Sequence, residues 1–94
     1  MTELEKLRNE INAIDEQMAQ LFERRMQTSG SIAAYKREHG LSVRDRAREQ
    51  QLIDHNRSYI EDAEIETFYI RFLEVLMDLS RQYQARQMSR KKTD

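Results

Sequence analysis

Two cations on one face of a predicted helix are the first residues that could do chemistry. Arg25 stands where a repeat of apolar residues calls for another apolar side chain, and Lys36 follows eleven residues later, close to three full turns. Removing a lone guanidinium from water costs on the order of several kcal/mol, so Arg25 needs an anionic partner. The spacing therefore favours a pocket for an anion. The structural alternative is an ion pair between helices, with Glu49 or Glu74 as the acid.

Polar residues on two further predicted helices extend this pair. On the short middle helix, Asp45 and Glu49 are four residues apart and approach its buried side. On the last helix, Ser80 and Gln84 project from the edge of an apolar stripe, where polar groups need hydrogen-bond partners. The whole candidate set is Arg8, Arg25, Lys36, Asp45, Arg48, Glu49, Ser80 and Gln84. Such a set could bind a small dianion and stabilise charge that moves within it, but it offers no obvious nucleophile.

The sequence lacks the residues that other chemistries require. It has no cysteine, and its two histidines, His39 and His55, stand in polar surroundings, so we expect no metal site. It also has no Ser-His-acid set and no glycine-rich phosphate loop. Hydrolysis, redox chemistry and phosphoryl transfer are therefore disfavoured, and we expect no cofactor.

Charge and hydropathy limit the partners. The net charge is −1, with 16 basic and 17 acidic residues, which argues against nucleic acid. No segment approaches the ~20 apolar residues that span a bilayer, and the N-terminus has no signal-peptide pattern. We expect a cytoplasmic protein with no membrane partner.

The element that must position these residues is a first helix from Thr2 to about His39. Thr2 and Glu5 have capping-box spacing, and Gly40 stands where a left-handed residue would end the helix. Its apolar row is Leu4, Leu7, Ile11, Ile14, Met18 and Leu21, continuing to Ile32 and Tyr35. Such a helix is roughly 57 Å long, whereas a compact chain of this size has a radius of gyration of about 12 Å. We therefore expect an intertwined homodimer in which each long helix packs along a partner.

The rest of the chain predicts two more helices, so that residues 1–94 form one all-α domain. Ser42 is the expected N-cap of a helix from about Val43 to Arg57, and Asp62 that of the third helix. The third helix carries an apolar stripe that we assign to core packing: Ile65, Phe68, Tyr69, Phe72, Leu76, Leu79 and Tyr83. Residues 89–94 are expected to form a frayed tail. Gly30 costs roughly 1 kcal/mol inside the first helix, which a close helix crossing would explain.

The motifs together resemble a known family. They are Leu7-Arg8, Ile14-Asp15, Arg25 with Lys36, Val43-Arg44-Asp45 with Arg48-Glu49, and Ser80 with Gln84. In this combination, over about residues 3–84, the chain resembles the all-helical, dimeric bacterial chorismate mutases. The resemblance implies an intramolecular Claisen rearrangement of chorismate to prephenate, on the route to phenylalanine and tyrosine, without a covalent intermediate.

The resemblance also implies a role for each residue at the substrate. Arg8 and Arg25 would hold its two carboxylates, while Lys36 and Gln84 would donate to the ether oxygen as it gains negative charge. Gln84 is neutral, so activity should not need low pH.

For the other side of the pocket, the resemblance implies that Glu49 accepts a hydrogen bond from the ring hydroxyl. Asp45 and Arg48 would position that side, and Ser80 would bond to a carboxylate.

Helix geometry adds one condition to these roles. Arg8 and Arg25 are seventeen residues apart on one helix, about 25 Å, so they cannot hold the same small molecule. One of them must come from the partner chain. Arg24 competes for the role of Arg25, but it lies off the apolar row and breaks the spacing to Lys36.

Two other functions stay open on the sequence. An isochorismate–pyruvate lyase of the same fold would use the same arginines and lysine, although the Val43–Glu49 stretch is not expected there. A non-enzymatic helical dimerisation module would instead pair Arg25 and Lys36 with acids. The sequence also fits either a free enzyme or the front domain of a fused prephenate dehydratase or dehydrogenase.

Overall fold

The computed structural model describes residues 1–92, which form three helices and no strand. They are α1 (Glu3–Glu38), α2 (Arg46–Arg57) and α3 (Ala63–Lys92). The all-α prediction is confirmed. The chain is elongated: it measures 55 × 30 × 14 Å, with a radius of gyration of 16.9 Å, against about 12 Å for a compact chain of this length.

The ends of α1 follow the local signals in the sequence. The Thr2 hydroxyl accepts from the Glu5 amide at 3.1 Å, and the Glu5 carboxylate accepts from the Thr2 amide at 3.4 Å. At the other end, Gly40 has a φ of 65°, and the Leu41 amide donates to the Lys36 carbonyl at 2.8 Å. This is the geometry of a Schellman motif. Both predicted ends of α1 are confirmed.

The predicted start of α2 is wrong by about three residues. Asp45 is the N-cap, and its Oδ1 accepts from the Arg48 amide at 3.0 Å. The Ser42 hydroxyl donates instead to the Arg44 carbonyl at 2.9 Å. Serine and aspartate cap helices about equally well, so the sequence offered two caps three residues apart.

The start of α3 is as predicted. Asp62 Oδ1 accepts from the Glu64 amide at 2.9 Å and from the Ile65 amide at 3.2 Å. The helix includes residues 89–92 of the predicted tail. Thr93 and Asp94 lie outside the described residues.

Side-chain contacts fix the directions of the helices. Arg25 contacts Ser80, and Ser29 contacts Gln84. Both pairs are separated by 55 positions, so α1 and α3 run in the same direction. Ion pairs Glu49–Arg81 and Arg57–Glu66 show that α2 runs against α3.

Gly30 marks the close crossing of α1 and α3 that the sequence suggested. A Cβ atom placed on Gly30 would lie 3.2 Å from Cε2 of Tyr83 and 3.9 Å from Cγ of Gln87. The first distance is tighter than ordinary van der Waals contact. The absence of a side chain at Gly30 thus lets the two helices approach.

We expect Gly30→Val to lower the free energy of unfolding by about 1–3 kcal/mol, the usual cost of overpacking. The added methyl groups must displace the Tyr83 ring or separate α1 from α3. Urea unfolding measures the effect. The matched control is Gln27→Val at a nearby exposed position of α1, which should change the free energy by no more than about 0.5 kcal/mol. Equal losses in the two variants would contradict the steric explanation.

The core formed within the single chain is small. Its buried apolar side chains are Ala33, Leu73, Leu76 and Met77. The apolar row on the first half of α1 is 44–58% exposed: Leu4, Leu7, Ile11, Ile14, Met18 and Leu21. Such a continuous apolar face needs cover. The intertwined homodimer that would provide it stays a prediction.

The predicted core stripe of α3 is only partly right for the single chain. Leu76 is buried, but Ile65, Phe68, Phe72 and Leu79 are exposed. The side of α3 next to this stripe, which includes the buried Leu73, faces the rest of the chain instead.

Within residues 1–92, no helix combines the length and apolar character needed to cross a membrane.

Candidate active site

A cavity of about 640 Å³ lies where the second half of α1 faces the start of α2 and the second half of α3. Seven of the eight predicted site residues line it: Arg25, Lys36, Asp45, Arg48, Glu49, Ser80 and Gln84. The apolar part of its wall includes Leu21, Ile32, Val43, Leu52 and Met77. The volume suits one small molecule.

Arg25 extends from α1 to α3, where its Nη1 donates to the Ser80 hydroxyl at 2.6 Å. Burial lowers the pKa of the Arg25 guanidinium, Tyr69 acts in the opposite direction, and the positive charge of Arg48 lowers it further. A guanidinium stays charged in proteins all the same. In the described part of the chain, Arg25 has no carboxylate within ion-pair distance. Within this single chain, neither Glu49 nor Glu74 therefore forms the alternative ion pair with Arg25.

Lys36 is held by two acceptors at the far end of the cavity. Its Nζ donates to the Val43 carbonyl at 2.8 Å and to Gln84 Oε1 at 3.4 Å. Gln84 Nε2 in turn donates to the Ser29 hydroxyl at 2.8 Å. Because an ammonium can only donate, it fixes the orientation of the buried Gln84 amide.

These contacts leave hydrogen-bonding capacity for a ligand. An ammonium has three N–H donors and an amide nitrogen has two. The contacts within residues 1–92 use two on Lys36 and one on Gln84. One N–H on each group is therefore not used by these contacts.

The first turn of α2 supplies the other polar wall. Asp45 both caps α2 and lines the cavity, while Arg48 lines it with an exposed side chain. Glu49 Oε2 accepts from Arg81 Nη1 at 2.6 Å, and Glu49 Oε1 lies 3.4 Å from Arg44 Nη2. The carboxylate of Glu49 is thus fixed by two arginines.

Two arginines of the site were not among the predicted residues. Arg81 lines the cavity and holds Glu49. Arg81 stands four residues after Met77 and three before Gln84, so it lies on the same face of α3 as these two residues. This spacing is the sequence feature that could have identified Arg81 as a site residue. Arg24 also lines the cavity, although its place off the apolar row predicted otherwise. Arg25, and not Arg24, makes the contact with Ser80.

Arg8 is the one predicted site residue that does not line this cavity. It lies on the exposed first half of α1, seventeen residues before Arg25, which corresponds to about 25 Å along the helix. The chain alone therefore supplies an incomplete version of the predicted site.

The fold of residues 1–92 is a set of three helices, and its cavity presents several cations and the carboxylates of Asp45 and Glu49 to a ligand. The sequence family described as chorismate mutase type II matches residues 7–85, a range that includes all eight predicted site residues. The chain belongs to this family. No match was found among curated proteins or among solved structures.

Proposed function

We propose that the protein is a chorismate mutase that converts chorismate to prephenate as a homodimer. The observation that carries this proposal is that one cavity contains both the hydrogen bond from Arg25 to Ser80 and the hydrogen bond from Lys36 to Gln84. The family of the chain supports it.

The substrate has two carboxylates, a ring hydroxyl and an ether oxygen, and each finds a complementary group. Arg25, with Ser80 beside it, binds one carboxylate. Arg8 from a second copy of the chain binds the other. A guanidinium suits this role because its planar donors can meet both oxygens of a carboxylate.

The reaction needs no nucleophile and no proton transfer. The ether C–O bond breaks while a new C–C bond forms within the same molecule, and the ether oxygen gains negative charge in the transition state. The remaining N–H donors of Lys36 and Gln84 stabilise that charge. Glu49 accepts from the ring hydroxyl, with Asp45 and Arg48 on the same wall, so the substrate is held in its reactive conformation.

Two observations support the dimer. The apolar row on the first half of α1 is about half exposed in the single chain, and it begins in the same turns that carry Arg8. Packing this row against a second copy would bury it and could bring the partner's Arg8 to a cavity that lacks it.

Incubation of the purified protein with chorismate, and separately with isochorismate, tests the function directly. We expect prephenate as the product. Release of pyruvate and salicylate from isochorismate, with chorismate left intact, would support the lyase. Turnover of neither compound would support a dimerisation module.

Mixing two inactive variants tests the shared site. Arg8→Ala and Lys36→Ala chains should together regain about one quarter of the normal activity, because random exchange makes about half of the dimers mixed and each mixed dimer has one intact site. Activity is measured after subunit exchange has been verified with tagged chains. No recovery would show that Arg8 does not serve the partner's site.

A further inference from the structure

The ion pair between Glu49 and Arg81 connects α2 to α3 at the edge of the cavity. Nη1 of Arg81 lies 2.6 Å from Oε2 of Glu49, and the two side chains are only 23% and 19% exposed. The second ion pair between these helices, Arg57–Glu66, has the same length, but the Arg57 side chain is 48% exposed. Only the first pair belongs to the cavity wall.

A second cavity, of about 310 Å³, lies behind this wall. Glu49, Met77 and Arg81 line both cavities, whereas Arg44 lines only the second. Arg44 Nη2 is 3.4 Å from Oε1 of Glu49. Arg44 thus binds one oxygen of the carboxylate from the side of the second cavity, while Arg81, which lines both cavities, binds the other oxygen.

The structure gives Glu49 little other support. No residue of α2 is buried, so apolar packing does not fix the helix as it would in a core. Arg81 itself is anchored within α3, where its Nη2 lies 3.3 Å from Oδ1 of Asp78. Asp78 also accepts from Gln82 Nε2 at 3.0 Å. Of the two side chains in the Glu49–Arg81 ion pair, Arg81 is thus the one that is held in place by its own helix.

We propose that Arg81 is a positioning residue that keeps the Glu49 carboxylate facing the substrate cavity and away from the second cavity. The inference rests on the proposed function and deepens it, since Glu49 is the group that would accept from the ring hydroxyl of chorismate. Arg81 acts through Glu49 and does not itself touch the reacting bonds.

The test compares Arg81→Met with Arg57→Met, which removes the other α2–α3 ion pair. We expect Arg81→Met to lower kcat/KM for chorismate about 10- to 100-fold, because a displacement of about 1 Å in a group that positions the substrate can reduce the rate by that much. Arg57→Met should stay within about twofold, because an exposed ion pair contributes little. Arg81→Lys keeps one charged donor and should lose less than Arg81→Met. Thermal unfolding verifies that each variant is folded.

Repeating Arg81→Met in a Glu49→Gln background separates positioning from a general structural effect. If Arg81 acts through Glu49, Arg81→Met should lower kcat/KM less than about threefold in the Glu49→Gln background. The effects of substitutions at neighbouring residues in one network are not additive. An equal loss in both backgrounds, or full activity of Arg81→Met, would overturn the inference while normal turnover by the unaltered protein upholds the proposed function. No turnover by the unaltered protein would overturn both.

Discussion

Replacement of Arg25 by leucine is expected to nearly abolish turnover of chorismate while leaving the protein at least as stable as before. The guanidinium is partly buried, without a carboxylate partner among the described residues. Replacing a desolvated charge by an apolar group of similar size is often neutral or stabilising. Leucine at position 25 also continues the apolar row of α1. Steady-state kinetics and thermal unfolding, measured on the same preparation, check both parts.

The control is Arg24→Leu, which removes the neighbouring arginine from the same cavity. Arg25, and not Arg24, donates the hydrogen bond to Ser80. We therefore expect Arg24→Leu to lower kcat/KM less than about tenfold, below the scale of a charged hydrogen bond made in the transition state. A larger loss in Arg24→Leu would transfer the carboxylate role to Arg24. An unfolded Arg25→Leu protein would show that Arg25 is a structural residue.

Replacement of Lys36 by alanine is expected to lower kcat by about 10²–10³, the effect of removing one donor from a developing oxyanion. KM should change much less, because the carboxylates that bind the substrate would keep their arginines. Arg37→Ala is the matched control: Arg37 follows Lys36 on α1, does not line the cavity, and should leave kcat within about twofold. A loss of less than about threefold in Lys36→Ala would remove Lys36 from the mechanism.

The sequence predicted best what depends on neighbours along the chain. Thr2 with Glu5, Gly40 and Asp62 ended or began helices as expected, because each makes its hydrogen bonds within a few residues. The start of α2 was misplaced because Ser42 and Asp45 offer equivalent local signals, and only the folded chain decides between them.

What the sequence left open depends on contacts between distant residues. On α3 two apolar stripes overlap, and helical periodicity alone does not reveal which one meets α1. Arg81 was not among the predicted site residues, and its partner Glu49 stands 32 positions away in the sequence. Seven of the eight polar residues were nevertheless found together, since helical spacing places them on facing sides and the family resemblance selects among them. The role of Arg8 remains a prediction about a second chain.

The turn after α1 takes part in the chemistry that we propose. Lys36 is tied to it twice: its carbonyl accepts from the Leu41 amide, and its ammonium donates to the Val43 carbonyl. Surface connections usually tolerate insertions and deletions. Here one added or deleted residue between Gly40 and Asp45 would move the Val43 carbonyl and redirect the ammonium. We therefore expect the length of this connection to affect the rate of the proposed reaction through the position of the Lys36 ammonium.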